Sequence, residues 1–181
     1  LDSLVHYDSG IASLSIAPGA SFDLGGHELL VDYSTASPLA GVLSMIVDGR
    51  VQAGAPGQVV GYAEASAIFI NFPATFAGQA LDSTTLLVAS TLVGDLNLDR
   101  VVDFADLLAL AQNYDTTGRF WWQGDVNYDG SVGFDDLLGL AQNYGSAAIS
   151  HDWAVARSLV PEPAAIGLVA MFGWATRRAR R

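Results

Sequence analysis

The sequence predicts a mixed fold: a β-rich N-terminal segment, a small all-α module of two acidic loop-and-helix units, and a hydrophobic C-terminal helix. Three observations predict it. Residues 1–93 alternate small, apolar and β-branched residues, residues 94–145 contain an acidic stretch written twice, and residues 160–181 pass from prolines through apolar residues to arginines.

At 181 residues the chain is long enough for one ordinary domain or two small ones. It begins with Leu1, which suggests a mature or truncated product, so the missing signal peptide argues nothing about location. No cysteine is present, which excludes disulfides, zinc-thiolate sites and thiol catalysis. Apart from residues 161–181, the chain carries 18 acidic residues against four arginines and no lysine. Such a surface repels nucleic-acid phosphates. Nine of the 19 acidic residues lie between Asp95 and Asp136, so a cation is the natural partner of that region.

Within residues 1–93, "ASLSIA" and "SFDLGGHELLVDY" alternate as half-buried strands do, the latter turning at Gly25-Gly26. In "SPLAGVLSMIVDGR", Ser37 and Pro38 suit a helix start, and Leu39, Val42, Leu43 and Ile46 share one face before Gly49. After the loop "QAGAPGQ", the stretches "VVGYAEASAIFINF" and "STTLLVASTLV" read as further strands.

Gly94 to Tyr114 and Gly124 to Tyr144 match at 14 of 21 positions when offset by 30. Each copy ends in a helical pattern: Phe104, Leu107, Leu108, Ala111 and Tyr114 in one, Phe134, Leu137, Leu138, Ala141 and Tyr144 in the other. Helices this short do not bury their stripes alone, so they are expected to pack on each other, with Phe104 and Phe134 in the shared core.

The acidic start of each copy has the spacing of a twelve-residue calcium loop, in which oxygens at positions 1, 3, 5, 7, 9 and 12 surround a hard cation. Loop one offers Asp95, Asn97, Asp99, the Val101 carbonyl, Asp103 and Asp106. Loop two offers Asp125, Asn127, Asp129, the Ser131 carbonyl and Asp136, with Gly133 leaving one vertex to water. Two Ca2+ ions are therefore expected. A merely solvated acidic helix start would explain one copy, but not two in the same register. Position 6 normally needs a left-handed backbone, easy for Gly130 and strained by about 1 kcal/mol or more for Arg100.

The segments entering these loops, "STTLLVASTLVG" and "DTTGRFWWQG", are not helical, and position 12 is Asp in both copies. Half-hands of this kind, duplicated across a short linker, resemble a type I dockerin over about 52 residues. The resemblance implies two loop-and-helix units packed antiparallel with pseudo-twofold symmetry, and a cohesin-like partner. Dockerins often use small hydroxyl residues at loop positions 10 and 11, whereas this chain has Phe104-Ala105 and Phe134-Asp135. Trp121 and Trp122 are then candidates for a partner surface or for the cover of a small core.

Residues 146–159 read as a linker. From Ala164 to Thr176 there are 13 uncharged residues, about 20 Å as a helix and short of a hydrocarbon core of roughly 30 Å. The order of Val160, Pro161, Glu162 and Pro163, an apolar run, and then Arg177, Arg178, Arg180 and Arg181 is similar to a PEP-CTERM sorting signal. That resemblance implies recognition by an exosortase, transient membrane anchoring with the arginines inside, and delivery to the bacterial envelope or exterior.

"IASLSIAPGASFDLGGHELLVDY" looks like the last rungs of a β-solenoid with autotransporter-associated repeats, which would make residues 1–93 the end of a longer array; a small β domain is the other reading. No G-x-S-x-G, H-E-x-x-H or Gly-rich phosphate loop occurs. His6, His27 and His151 are scattered, and Glu64 and Asp82 are more simply surface residues than a glycosidase pair. The expectation is a non-catalytic, calcium-binding surface protein with a module for protein attachment. The alternatives are the C-terminal piece of a secreted polysaccharide-degrading enzyme that docks on a cohesin, and a module that packs on its own β segment.

Overall fold

The structure is a computed structural model and describes residues 13–148. The expected C-terminal helix and the sorting residues Val160 to Pro163 and Arg177 to Arg181 lie outside that range, as do His6 and His151. Among the described residues, no helix is long and apolar enough to cross a membrane.

The chain runs through β1 (Phe22–Asp23), β2 (Glu28–Asp32), α1 (Leu39–Val47), β3 (Val51–Gln52), β4 (Val59–Glu64), α2 (Ala65–Ile68), β5 (Ala74–Phe76), β6 (Gln79–Leu81) and β7 (Thr85–Thr91). It continues with α3 (Phe104–Asn113), β8 (Thr116–Thr117), a 3-10 turn (Trp121–Gln123), β9 (Ser131–Val132) and α4 (Phe134–Asn143). The organising element is a three-stranded antiparallel sheet in the order β2, β7, β4. All seven residues of β7 are buried. Because successive side chains of a strand point to opposite faces, both faces of β7 are covered, which the unbroken run "TLLVAS" already favours over alternation.

This antiparallel sheet corrects the solenoid expectation, since solenoid rungs stack in parallel. The parallel pair present, β1 with β3, is two residues long. "ASLSIA" forms no strand over its described residues. "VVGYAEASAIFINF" is broken: Glu64 ends β4 and the chain turns into α2. Glu64 is held there, accepting hydrogen bonds from the Tyr33 hydroxyl at 2.8 Å and from the Ser37 hydroxyl. Asp82 likewise accepts from the Thr84 amide and hydroxyl, both at 2.7 Å. The expected α1 is present, with the Leu39 amide donating to Ser37 Oγ at 3.1 Å and Gly49 at φ +70° just beyond its end.

The expectation of an all-α module is also overturned. Both helices form, but the residues around them are extended. Ser131 pairs with Thr117, and Val101 pairs with Ala147, so that residues at matching positions of the two copies make the same cross-copy pairing. Likewise the Asp115 amide donates to the Val132 carbonyl and the Gly145 amide to the Val102 carbonyl, both at 2.8 Å. The physical reason is that each loop leaves its seventh and eighth residues extended, and the segment after the other copy's helix satisfies their main-chain groups. Reciprocal contacts of this kind define an approximate twofold axis between the copies.

The same exchange governs packing. A Cβ added to Gly94 would stand 2.7 Å from the Cα of Leu140, and one added to Gly124 would stand 3.1 Å from the Cα of Leu110. Each loop thus enters directly against the other copy's helix, at φ +99° and +114°. Gly94→Ala is therefore expected to cost about 2–3 kcal/mol and Gly124→Ala somewhat less, through overlap and left-handed strain together. Gly118→Ala, also at positive φ but facing open space, is expected to cost only about 1 kcal/mol. Urea unfolding of the three variants checks the ranking.

Candidate functional site

The two acidic loops share one set of main-chain bonds to the side chains at their first, third, fifth and twelfth positions. Asp95 at the first position of loop one accepts from the amides of Asp99 at 3.1 Å and Arg100 at 2.9 Å. Asp125 in loop two accepts from Asp129 at 3.1 Å and Gly130 at 3.0 Å. Asn97 and Asn127 accept from the amides of Asp99 and Asp129, and those two carboxylates accept from Val101 and Ser131. At the twelfth position, Asp106 accepts from Leu96, Asn97 and Asp103, while Asp136 accepts from Val126, Asn127 and Gly133.

These bonds explain the local fold. Asp106 and Asp136 lie in the first turns of α3 and α4, so one carboxylate ties the loop's second and third residues back to the helix start. The fourth and sixth residues adopt the left-handed conformation: Leu98 and Tyr128 at φ +59° and +64°, Arg100 and Gly130 at +72° and +82°. The sequence flags position six through Gly130. Position four is hidden from it, because Leu and Tyr give no sign of positive φ.

Asp95, Asp106, Asp125 and Asp136 are all buried, at 0, 1, 2 and 1% exposure. Asp99, Asp103 and Asp129 are exposed at the mouths of the loops, and Asn97 is half-buried. Among the described residues the ion pairs are Arg50 with Asp48 and Arg100 with Glu28, so none of the four buried carboxylates has a basic side chain beside it. Burial, aided by repulsion from Asp106 and Asp99, pushes the Asp95 carboxyl up to about 7 against the hydrogen bonds it accepts. Burial also pushes Asp125 up to about 6, with Asp136 and Asp129 adding to the shift, and raises Asp106.

Among the described residues, no group of three or more His, Asp or Glu side chains forms a ready-made cation cage. The donor chemistry nevertheless fits a hard cation. Every predicted donor is an oxygen, two predicted donors per loop are amide or main-chain oxygens, and the carboxylates of each loop repel one another. Asp103 is engaged in capping α3, accepting from the Ala105 amide at 2.8 Å, and Gly133 has no side chain to do the same.

The loops are set against the sheet. Trp121, fully buried, donates from Nε1 to the Asp95 carbonyl at 2.7 Å and stacks on Tyr128 with ring centroids 5.6 Å apart. Tyr128 donates from its hydroxyl to the Val60 carbonyl of β4 at 2.8 Å. Gly61 of β4 lies under this contact, where a Cβ would meet Leu98 at 2.6 Å and Trp121 Nε1 at 3.0 Å. Trp122 stacks on Phe120 and meets Tyr62 edge-on. The tryptophan pair therefore faces inward, and one hydrophobic core runs from Leu24 to Leu140. Phe104 and Phe134, by contrast, are 65 and 66% exposed, with Leu108 and Leu138 exposed one turn further on. This overturns their expected place in the helix-pair core, which is taken by Leu110 and Leu140. Thr91, whose hydroxyl donates to Asp95 Oδ2, escapes sequence reasoning altogether, and for Arg100 the sequence gives the strained loop position but not its pairing with Glu28 of β2.

A carboxyl whose folded pKa lies above its unfolded value near 4 stabilises the fold while protonated. That contribution is lost as pH rises through the folded pKa, here the window up to about 6 for Asp125 and about 7 for Asp95. In chelator-treated solution the melting temperature is therefore expected to fall between pH 5 and pH 8, as calorimetric scans at several pH values would show.

No protein-family model matches the chain, and no curated protein matches it. Among solved structures, it is similar to a type II cohesin-dockerin domain from Bacteroides cellolosolvens, with 39% sequence identity over 31% of this chain and 88% of that chain, and a TM-score of 0.28.

Proposed function

We propose that this chain is a non-catalytic, calcium-binding protein of the bacterial cell surface or exterior, in which residues 94–145 form a dockerin-like attachment module. The observation that supports this most is the pair of buried, uncompensated aspartates in each loop, Asp95 with Asp106 and Asp125 with Asp136, held by matching amide bonds. Asp95, Asn97, Asp99, the Val101 carbonyl, Asp103 and Asp106 would hold one Ca2+. Asp125, Asn127, Asp129, the Ser131 carbonyl and Asp136 would hold the other. The bound ions supply positive charge to carboxylates that otherwise repel, and the amides already aimed at those carboxylates fix their orientation.

Attachment is assigned to the outer faces of α3 and α4. The sheet side of the module is occupied by the chain's own β4, through Trp121, Tyr128 and Leu98. Among the described residues, the exposed large apolar side chains on these two helices form a matched pair of patches, Phe104 with Leu108 and Phe134 with Leu138. Paired exposed phenylalanines are what a protein interface buries at its centre. A cohesin-like module is the proposed partner. Residues 160–181 are proposed to act as an exosortase-type sorting signal that anchors the chain in the membrane during delivery.

Two outcomes test this reading. At about 1 mM free calcium and micromolar affinity, each ion contributes about 4 kcal/mol and the two together about 8 kcal/mol, so chelation is expected to lower the melting temperature by roughly 16–32 °C. Circular dichroism melts with and without chelator measure this. Substituting both Phe104→Asp and Phe134→Asp is expected to change stability by no more than about 0.5 kcal/mol, because both are exposed. The same change is expected to abolish binding to a cohesin-type module that the wild type binds, as measured by titration calorimetry.

A further inference from the structure

The two loops are alike within themselves and unlike in what surrounds them. Thr91, the last residue of β7, is fully buried and donates its hydroxyl to Asp95 Oδ2. Thirty residues on, the matching position is Trp121, which offers Asp125 no hydroxyl and instead donates to the Asp95 carbonyl. Both copies of this position therefore converge on the first residue of loop one. Arg100 adds a third tie, from the sixth position of loop one to Glu28 of β2, where loop two has Gly130. Loop two meets the sheet through Tyr128 and Val60, a contact that leaves its first-position carboxylate untouched.

We propose that the β2, β7, β4 sheet positions the first ligand of loop one, so that calcium at loop one and docking of the loop on the sheet strengthen each other, a coupling that the first ligand of loop two lacks. Thr91 is the positioning residue. Its hydroxyl and the Arg100 amide share one oxygen of Asp95, and the other oxygen accepts from the Asp99 amide. Orienting groups one step removed from a metal typically change its affinity by about 10-fold to 100-fold when removed. The inference rests on the calcium reading and adds that the two loops are not equivalent. Calcium at loop one would then report on the state of the β segment.

The test is a calcium titration of the full chain, followed by the amide resonances of Val102 for loop one and Val132 for loop two. Thr91→Val keeps the shape and removes the hydroxyl. It is expected to weaken loop one by about 10-fold or more and to leave loop two within about twofold, with Thr91→Ser restoring loop one. The unchanged loop two also shows that the variant is folded. In the wild type, calcium is further expected to slow hydrogen exchange at the β7 amides, and less so in Thr91→Val. Wild-type affinity at loop one in Thr91→Val, or equal weakening of both loops, overturns the coupling and leaves the calcium reading standing. A wild type that takes up no calcium overturns both.

Discussion

The structure depends on four aspartates buried without a basic partner. Asp95, Asp106, Asp125 and Asp136 each give their oxygens to main-chain amides of their own loop, and those bonds set the left-handed turns, start α3 and α4, and aim the remaining side chains. Amides orient a carboxylate and partly offset its lost hydration, but they do not neutralise it. The raised pKa values of Asp95 and Asp125 express that unmet charge. A hard cation is the simplest group that would relieve both burial and repulsion, and in the proposed reading this relief is what turns two weak half-hands into a rigid module.

Duplication then serves packing as much as binding. Helices of ten residues are marginal alone. Here each is held by the entry glycine of the other copy, Gly94 under Leu140 and Gly124 under Leu110, and each loop is completed by the segment that follows the other copy's helix. The cost of symmetry is that the connecting residues must cross the module, and they do so as the 3-10 turn that buries Trp121. Because Trp121 lies against β4 and Tyr128 bonds to it, the module shares its core with the sheet.

How much of this is legible in the sequence follows from the range of each signal. The helices are legible because their spacing is local and written twice, and α1 because Ser37, Pro38 and Gly49 punctuate it. The sheet order is not, because pairing of β2 and β4 across β7 is set by contacts distant in sequence, and short apolar stretches such as "ASLSIA" fit several folds. The exposure of Phe104 and Phe134 escapes a hydrophobicity argument for a specific reason: the helical stripe is wide enough for two faces, and Leu110 and Leu140 take the inner one. Thr91 escapes because it belongs to a strand by pattern and touches the loop only in three dimensions.

The most direct measurement is the stoichiometry of calcium uptake by the chelator-stripped chain in titration calorimetry. The account predicts two ions per chain at neutral pH, with uptake lost from one loop in Asp95→Ala and from the other in Asp125→Ala. Heat changes no larger than those of dilution, with the chain folded as judged by its dichroism, would contradict it.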